Sequence, residues 1–264
     1  MLILSQADVA SVLDMRALID AVEGAMVDLS AGHASVPARV GAVVEERGAI
    51  LAAMPAYLPS SNALTTKLVS VFPENRDRPT HQAVICCFDP VTGTPIALMD
   101  GTLITAMRTA AGSAIATRML ARADARSVAI VGTGVQSGTH DEAMRALGYD
   151  DVVVCGRSTA VSIEDGVRSA DIVCLTTHAD APVVHREWLK PGTHVNSVGY
   201  NTQGTGELDE QTVRDAFVVV ESRASAFAPP APSMEPMVSS SAENDTDARP
   251  RRSGWWSRRV LGKS

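Results

Sequence analysis

The chain has 264 residues, 45% of them hydrophobic and 20% charged, an ordinary globular balance with room for two domains. Its net charge of −7 argues against wholesale nucleic-acid binding, and no run reaches the roughly 18 apolar residues that span a bilayer. Aromatic residues are only 4%, so the core is expected to be built from Ala, Val, Leu, Ile and Met.

The N-terminus, MLILSQADVASVLD, has no basic stretch and turns polar at Ser5, which does not read as a signal peptide; a cytoplasmic location is the default expectation. Ser5 is a candidate N-cap for a helix beginning before Asp8. Val9, Val12, Leu13, Leu18, Ile19, Val22 and Met26 recur at helical spacing, which predicts two helices before Gly32. Between Val36 and Phe88 the pattern changes to short β-rich runs: VGAVVEE, AILAAMPAYL, ALTTKLVSVF and AVICCFD. Turn signals at Arg47-Gly48 and Ser60 to Asn62 separate them, and Pro90 and Gly93 mark a hairpin before PIALMD. Consecutive strands of this kind predict an antiparallel sheet. Gly101 to Leu120 reads as one long Ala-rich helix.

From Arg126 strands and helices alternate. SVAIVG, DVVVCG, DIVCLTT, THVNSVG and FVVVES read as five strands, with HDEAMRAL, SIEDGVRSA and DEQTVRDA as helices. This grammar predicts a parallel, doubly wound sheet, so the fold class is α/β. Beyond Ala226 the Pro- and Ser-rich sequence has no periodicity and reads as disordered; it ends in a basic stretch around Trp255 and Trp256 whose role is open. The expected domains are residues 1–120, 121–225 and a tail over 226–264. Cys86, Cys87, Cys155 and Cys174 fit neither a zinc site nor a disulfide framework and read as buried reduced thiols. The six histidines show no metal-type pairing, so no metal is expected.

The run Val128 to Val131 leads directly into Gly132-Thr133-Gly134-Val135-Gln136. A glycine pair between an apolar strand and a helix fits a dinucleotide-binding turn. Gly132 permits the tight turn, and Gly134 lets the backbone approach a pyrophosphate at the positive end of the helix. The third glycine position holds Ser137, followed by Gly138, so the spacing is imperfect. No carboxylate ends the second strand; Arg157 and Ser158 stand there instead, suited to a ribose 2′-phosphate. NADP(H) is therefore favoured, with NAD(H) possible.

Arg39, Lys67 and Arg108 are cations beside apolar strand or helix sequence. Each needs a partner if buried, either an internal salt bridge or a substrate carboxylate, which Arg binds bidentately. Lys67 would move a proton at a substrate nitrogen if burial lowers its pKa.

MPAY (Met54 to Tyr57), TTKLVSVFPEN (Thr65 to Asn75), PIALMDGTLITAMRTAAGSAIAT (Pro95 to Thr117), VGTGVQ (Val131 to Gln136) and EWLKPGTHVNSVG…ELD (Glu187 to Asp209) occur in order. Together they resemble the ornithine cyclodeaminase/mu-crystallin family over about residues 1 to 225. The resemblance implies an N-terminal α+β substrate and dimerisation domain followed by a Rossmann-like domain, with the active site between them and a homodimer through the first domain. It places Arg39, Lys67 and Arg108 at substrate-carboxylate and catalytic positions, and Gly132, Gly134, Val135 and Gln136 at the cofactor turn. It also puts Arg157 and Ser158 at the adenosine-ribose end, and Thr176 and Val198 on strand ends facing the cofactor.

Three departures from the family pattern stand out. Asn201 takes the place of an aspartate that handles the substrate amine in ornithine-cyclising members, and an amide cannot take a proton at neutral pH. Only three residues separate Ser158 from SIEDGVRSA, where relatives carry a further helix and strand. The sheet order predicted for this trimmed, truncated Rossmann domain is therefore 2-1-4-5-6 in the usual six-strand numbering. Third, the Pro/Ser tail replaces helical sequence that returns to the first domain in relatives. The expected function is NAD(P)H-dependent reduction of a small imino or ketimine carboxylate, or the reverse oxidation, with Asn201 counted among the catalytic candidates. Ornithine cyclodeamination is one alternative; a non-catalytic binding protein or degenerate remnant is the other.

Overall fold

The computed structural model describes residues 1–199 and 206–222, and residues Met1–Glu221 form one compact unit. Asn201 and the tail from Ala226 lie outside the described residues. Helix α1 (Gln6–Val12) starts at Ser5 as the sequence predicts: Ser5 Oγ accepts from Asp8 N at 3.3 Å, and Asp8 Oδ2 accepts from Ser5 N at 2.8 Å. That reciprocal pair satisfies two otherwise orphaned donors. Helix α2 (Met15–Ser30) begins at Asp14, whose Oδ1 accepts from Ala17 N at 2.9 Å.

Strands β2 (Val40–Val44), β3 (Ala49–Leu58), β4 (Ala63–Val71), β5 (His81–Phe88) and β6 (Pro95–Asp100) form the antiparallel meander predicted from the consecutive β-rich runs. One strand was not legible. Leu2–Leu4 forms β1, which pairs parallel with β6 at the sheet edge, so the order is β1-β6-β5-β4-β3-β2. A three-residue run carries too little periodicity to be read alone, and only the free edge of β6 makes it a strand.

Helix α3 (Thr102–Leu120) leads into the second sheet, built from β7 (Ser127–Val131), β8 (Asp151–Cys155), β9 (Ile172–Leu175) and β10 (His194–Ser197). All its pairings are parallel, in the order β10-β9-β7-β8. In the usual numbering this is 2-1-4-5, the predicted arrangement up to its last strand. Helix α4 (Val135–Ala146) links β7 to β8, α5 (Ile163–Ser169) links β8 directly to β9, and α6 (Glu210–Asp215) follows β10.

The FVVVES segment is a correction. Residues 217–220 form no strand, and Phe217 is 90% exposed. β-Rich composition suits a half-buried pleat, but a strand also needs a neighbour to hydrogen-bond, and β10 receives none on its outer edge among the described residues.

Both faces of the parallel sheet are covered. On one, Met107, Ala110, Ala111, Ala114 and Ile115 of α3 pack with Ala143 and Met144 of α4 against Val128, Ile130 and Ile172, and Met15 and Ile19 of α2 join them. On the other, Val131, Val173 and Leu175 pack with Val167, Ala170 and Val184. The Ala-rich helix is Ala-rich because it lies in the middle: Ala110, Ala111 and Ala114 are wholly buried, and small side chains let neighbouring backbones close up. All four cysteines are free; Cys155 and Cys174 are buried, whereas Cys86 and Cys87 are only half-buried, which corrects the expectation of four buried thiols. No helix among the described residues is long and apolar enough to cross a membrane.

Candidate active site

The three predicted cations meet. Lys67 lies on β4, a central strand, where register pairs it with Met54 on β3 and Ile85 on β5. Val40 pairs with Ala53, so Arg39, one residue before β2, extends the same row across the sheet. Arg108 lies on α3, one turn after Thr105, and the two share a helix face. Thr105 Oγ1 donates to Gly101 O at 2.6 Å and accepts from Lys67 Nζ at 3.4 Å, a long contact that holds the ammonium against α3.

Lys67 feels the charge of both arginines. Burial is the main cause that lowers the Lys67 pKa, followed by the charges of Arg108 and then Arg39. Neither arginine nor Lys67 forms an ion pair among the described residues, and both guanidinium side chains are exposed. The site thus gathers positive charge with no internal carboxylate to balance it, which suits an incoming anion. His81 on β5 borders the same face. Its pKa is lowered by burial first, then by His178 and Lys67, and His178 follows the C-terminal end of β9. The end of the parallel sheet therefore lies within electrostatic reach of the Lys67 face.

That end of the sheet holds the glycine turn. Gly132 has φ of 125°, and a Cβ there would lie 2.6 Å from Thr176 Oγ1, so only glycine fits. Thr176 is buried, and both its N–H and its hydroxyl donate to Val131 O at 2.9 Å. It braces the turn from below. Gly134 is the opposite case: a Cβ there would meet nothing within 4 Å, so the backbone stands open to a ligand. No side chain caps α4 at Gly134, Val135 is exposed, and Gln136 Oε1 is buried without a hydrogen-bond partner. An open glycine and an uncapped helix N-terminus fit a dinucleotide pyrophosphate, while Gln136 Oε1, an acceptor, would need a donor such as a hydroxyl. Arg157 and Ser158 are exposed just past β8, and Val198 follows β10, where its N–H donates to Leu175 O at 3.2 Å.

Sequence reasoning missed Thr105, His81 and Glu207. The spacing of Thr105 and Arg108 on a predicted helix was a usable signal for the first. Nothing in GTGELDE announces that Glu207 is 3% exposed. A cavity of about 570 Å³ elsewhere, lined by Arg118, Arg122, Arg126 and Tyr149, offers no comparable site. Its arginines are already engaged with Glu23, Asp171 and backbone carbonyls.

Lys67 should act on stability in a pH-dependent way. The unfolded chain binds its proton more tightly than the folded one, so stability rises with pH between the lowered folded pKa and the ordinary lysine value of 10.5. Lys67→Met is expected to raise the melting temperature at pH 7, with the gain shrinking as pH approaches 10.5. A gain that does not vary with pH, or a loss at pH 7, would contradict this account.

The ornithine cyclodeaminase/mu-crystallin family profile matches residues 1–159 and 149–228, two segments that meet where β8 passes to α5. The chain is 35% identical over 232 residues to ketimine reductase mu-crystallin of Mus musculus, covering 80% of this chain and 74% of that protein. Among solved structures, it is similar to Thermococcus litoralis Delta(1)-pyrroline-2-carboxylate reductase in complex with NADH and L-proline. There the identity is 37% and the TM-score 0.74, with 81% of this chain and 73% of the other covered. It is also similar to an archaeal alanine dehydrogenase dimer with bound NAD, at 31% identity and TM-score 0.73, covering 82% and 72%. The chain belongs to the ornithine cyclodeaminase/mu-crystallin family.

Proposed function

We propose that this chain reduces a small imino or ketimine carboxylate, or oxidises the corresponding amino acid, with a nicotinamide dinucleotide. The observation that carries this reading is the group of three cations with no carboxylate partner among the described residues, one of them, Lys67, coupled through His81 to the C-terminal edge of a dinucleotide-type sheet. Relatives that are ketimine and pyrroline-2-carboxylate reductases support it.

Arg39 and Arg108 clamp the substrate carboxylate, a pairing for which the planar guanidinium is built. Binding that anion relieves the repulsion among the three cations. Lys67, its proton loosened by burial and by both arginines, donates to the substrate nitrogen. Gly132, Gly134, Val135 and Gln136 hold the pyrophosphate, and a bound nicotinamide would supply the hydride for the neighbouring carbon. Thr176 and Val198 support the nicotinamide end. Asn201, an amide at the family's aspartate position, favours imine reduction over ornithine cyclodeamination.

Lys67→Met is expected to abolish turnover of a cyclic ketimine carboxylate while leaving dinucleotide affinity within about threefold, since the lysine touches the proton rather than the pyrophosphate. Near-normal turnover would remove Lys67 from the mechanism. Ammonia release from ornithine by the wild-type protein would favour the deaminating alternative instead. A folded wild-type protein that binds neither cofactor would point to a repurposed scaffold.

Arg157 and Ser158 are read as contacts of a ribose 2′-phosphate. Calorimetry on Arg157→Ala should show NADPH affinity falling about tenfold, as for a lost charged hydrogen bond, with NADH little changed. Equal losses for the two cofactors would reject the phosphate contact.

The sheet face opposite Lys67 supports a homodimer. Val40, Leu51 and Val84 share that face by register and are 71%, 49% and 40% exposed, with no helix of the described residues over them. Burying that apolar face against a second copy would remove it from water. Light scattering should find a dimer that Leu51→Glu converts to monomer; a monomeric wild-type protein would refute the interface.

A further inference from the structure

We infer that Glu207 is a positioning residue that fixes the C-terminal ends of β9 and β10 beneath the nicotinamide half of the cofactor; the inference rests on the dinucleotide reading above. Its carboxylate is almost wholly buried and forms no ion pair among the described residues, although its charge acts on the buried His140. Among the described residues it accepts four hydrogen bonds, from two different strand ends. Oε1 accepts from Thr177 N at 2.7 Å and from Thr177 Oγ1 at 2.6 Å. Oε2 accepts from Gly199 N at 2.8 Å and from Ser197 Oγ at 3.0 Å. Thr177 follows Thr176, and Ser197 and Gly199 flank Val198. The two residues placed at the nicotinamide end are thus each adjacent in sequence to a donor of Glu207.

Close packing points the same way. A Cβ on Gly199 would lie 2.3 Å from Glu207 Cδ, so the backbone at 199 is glycine because the carboxylate fills the space beside it. The main chain at Glu207 is pinned as well, its carbonyl accepting from Val183 N at 2.9 Å and Val184 N at 3.3 Å. The carboxylate is therefore anchored from behind and holds the β9 and β10 ends together in front. Ser197 and Leu175 are the last paired residues of the two strands and Val198 N to Leu175 O, at 3.2 Å, the last backbone bond between them, so beyond that point Glu207 supplies the cross-links. The glycine turn, Arg157 and Ser158 receive no bond from it. Its loss should reach the nicotinamide end of the site and spare the adenosine end.

Two of the four donors are backbone N–H groups, which cannot reverse polarity. An amide in place of the carboxylate turns an NH2 toward one of them. The test measures binding of NADPH and NADH, each beside its nicotinamide-free counterpart, 2′-phospho-ADP-ribose and ADP-ribose, by calorimetry. In Glu207→Gln, affinity for the intact dinucleotides should fall about tenfold, the scale of one buried unsatisfied donor. Affinity for the nicotinamide-free pair should change by less than about threefold. If Glu207→Gln does not fold, Thr177→Val, which removes only one hydroxyl donor, should give the same selective pattern at smaller size. Equal losses for both ligand types, or none in a folded variant, would overturn the positioning role. A wild-type protein that binds the nicotinamide-free pair but gains nothing from the nicotinamide would also overturn it. Failure to bind any of the four would sink the dinucleotide reading itself.

Discussion

Helix α3 is the constraint on which the rest of the structure depends. Its first turns carry Thr105 and Arg108 to the face of the antiparallel sheet, where Thr105 meets Lys67. Its later turns bury Ala110, Ala111 and Ala114 against α4 and the parallel sheet. Ser113 Oγ lies 3.0 Å from Nε2 of the buried His140 on α4, and Thr117 Oγ1 accepts from Asn196 on β10 at 2.9 Å. One rigid rod therefore sets where the cations stand relative to the strand ends that would hold a cofactor. A single helix can do this because close-packed interiors transmit position with little slack.

The cations themselves are a cost to the fold. Lys67 is desolvated and repelled by Arg39 and Arg108, with no carboxylate among the described residues to offset the charge. Such sites cluster where function needs them, since the energy lost in the free protein is recovered when an anion binds. The long 3.4 Å contact to Thr105 leaves the Lys67 ammonium without a strong hydrogen-bond partner among the described residues.

The parallel sheet shows how a trimmed fold keeps its centre. The order β10-β9-β7-β8 retains the strand-order reversal at β7, where α/β sheets open a crevice for ligands. In such a sheet an edge strand can be absent without disturbing the pairing inside it. At the β9 and β10 ends the backbone ladder is short, and a buried glutamate supplies the cross-links instead.

Much of this was written in the sequence because it follows from local rules. Ser5 and Asp8 specify a helix start, alternating β-rich runs specify the meander, and apolar strands alternating with helices specify the parallel sheet. The glycine turn was legible because Gly132 and Gly134 sit between a strand and a helix. The cations Arg39, Lys67 and Arg108 could be named as candidates, since charge beside apolar sequence demands a partner. The sequence could not decide between an internal salt bridge and an open anion site, because that depends on which side chains meet across the sheet register and α3. Nor could it reveal β1, whose three residues become a strand only against β6, or the unpaired state of residues 217–220, whose β-rich pattern forms no ladder with the open outer edge of β10. Glu207 is the clearest case: as the first of three acidic residues in GTGELDE it looks like surface, and only the folded chain brings Thr177, Ser197 and Gly199 around it, because hydrogen bonding between distant segments leaves no local trace.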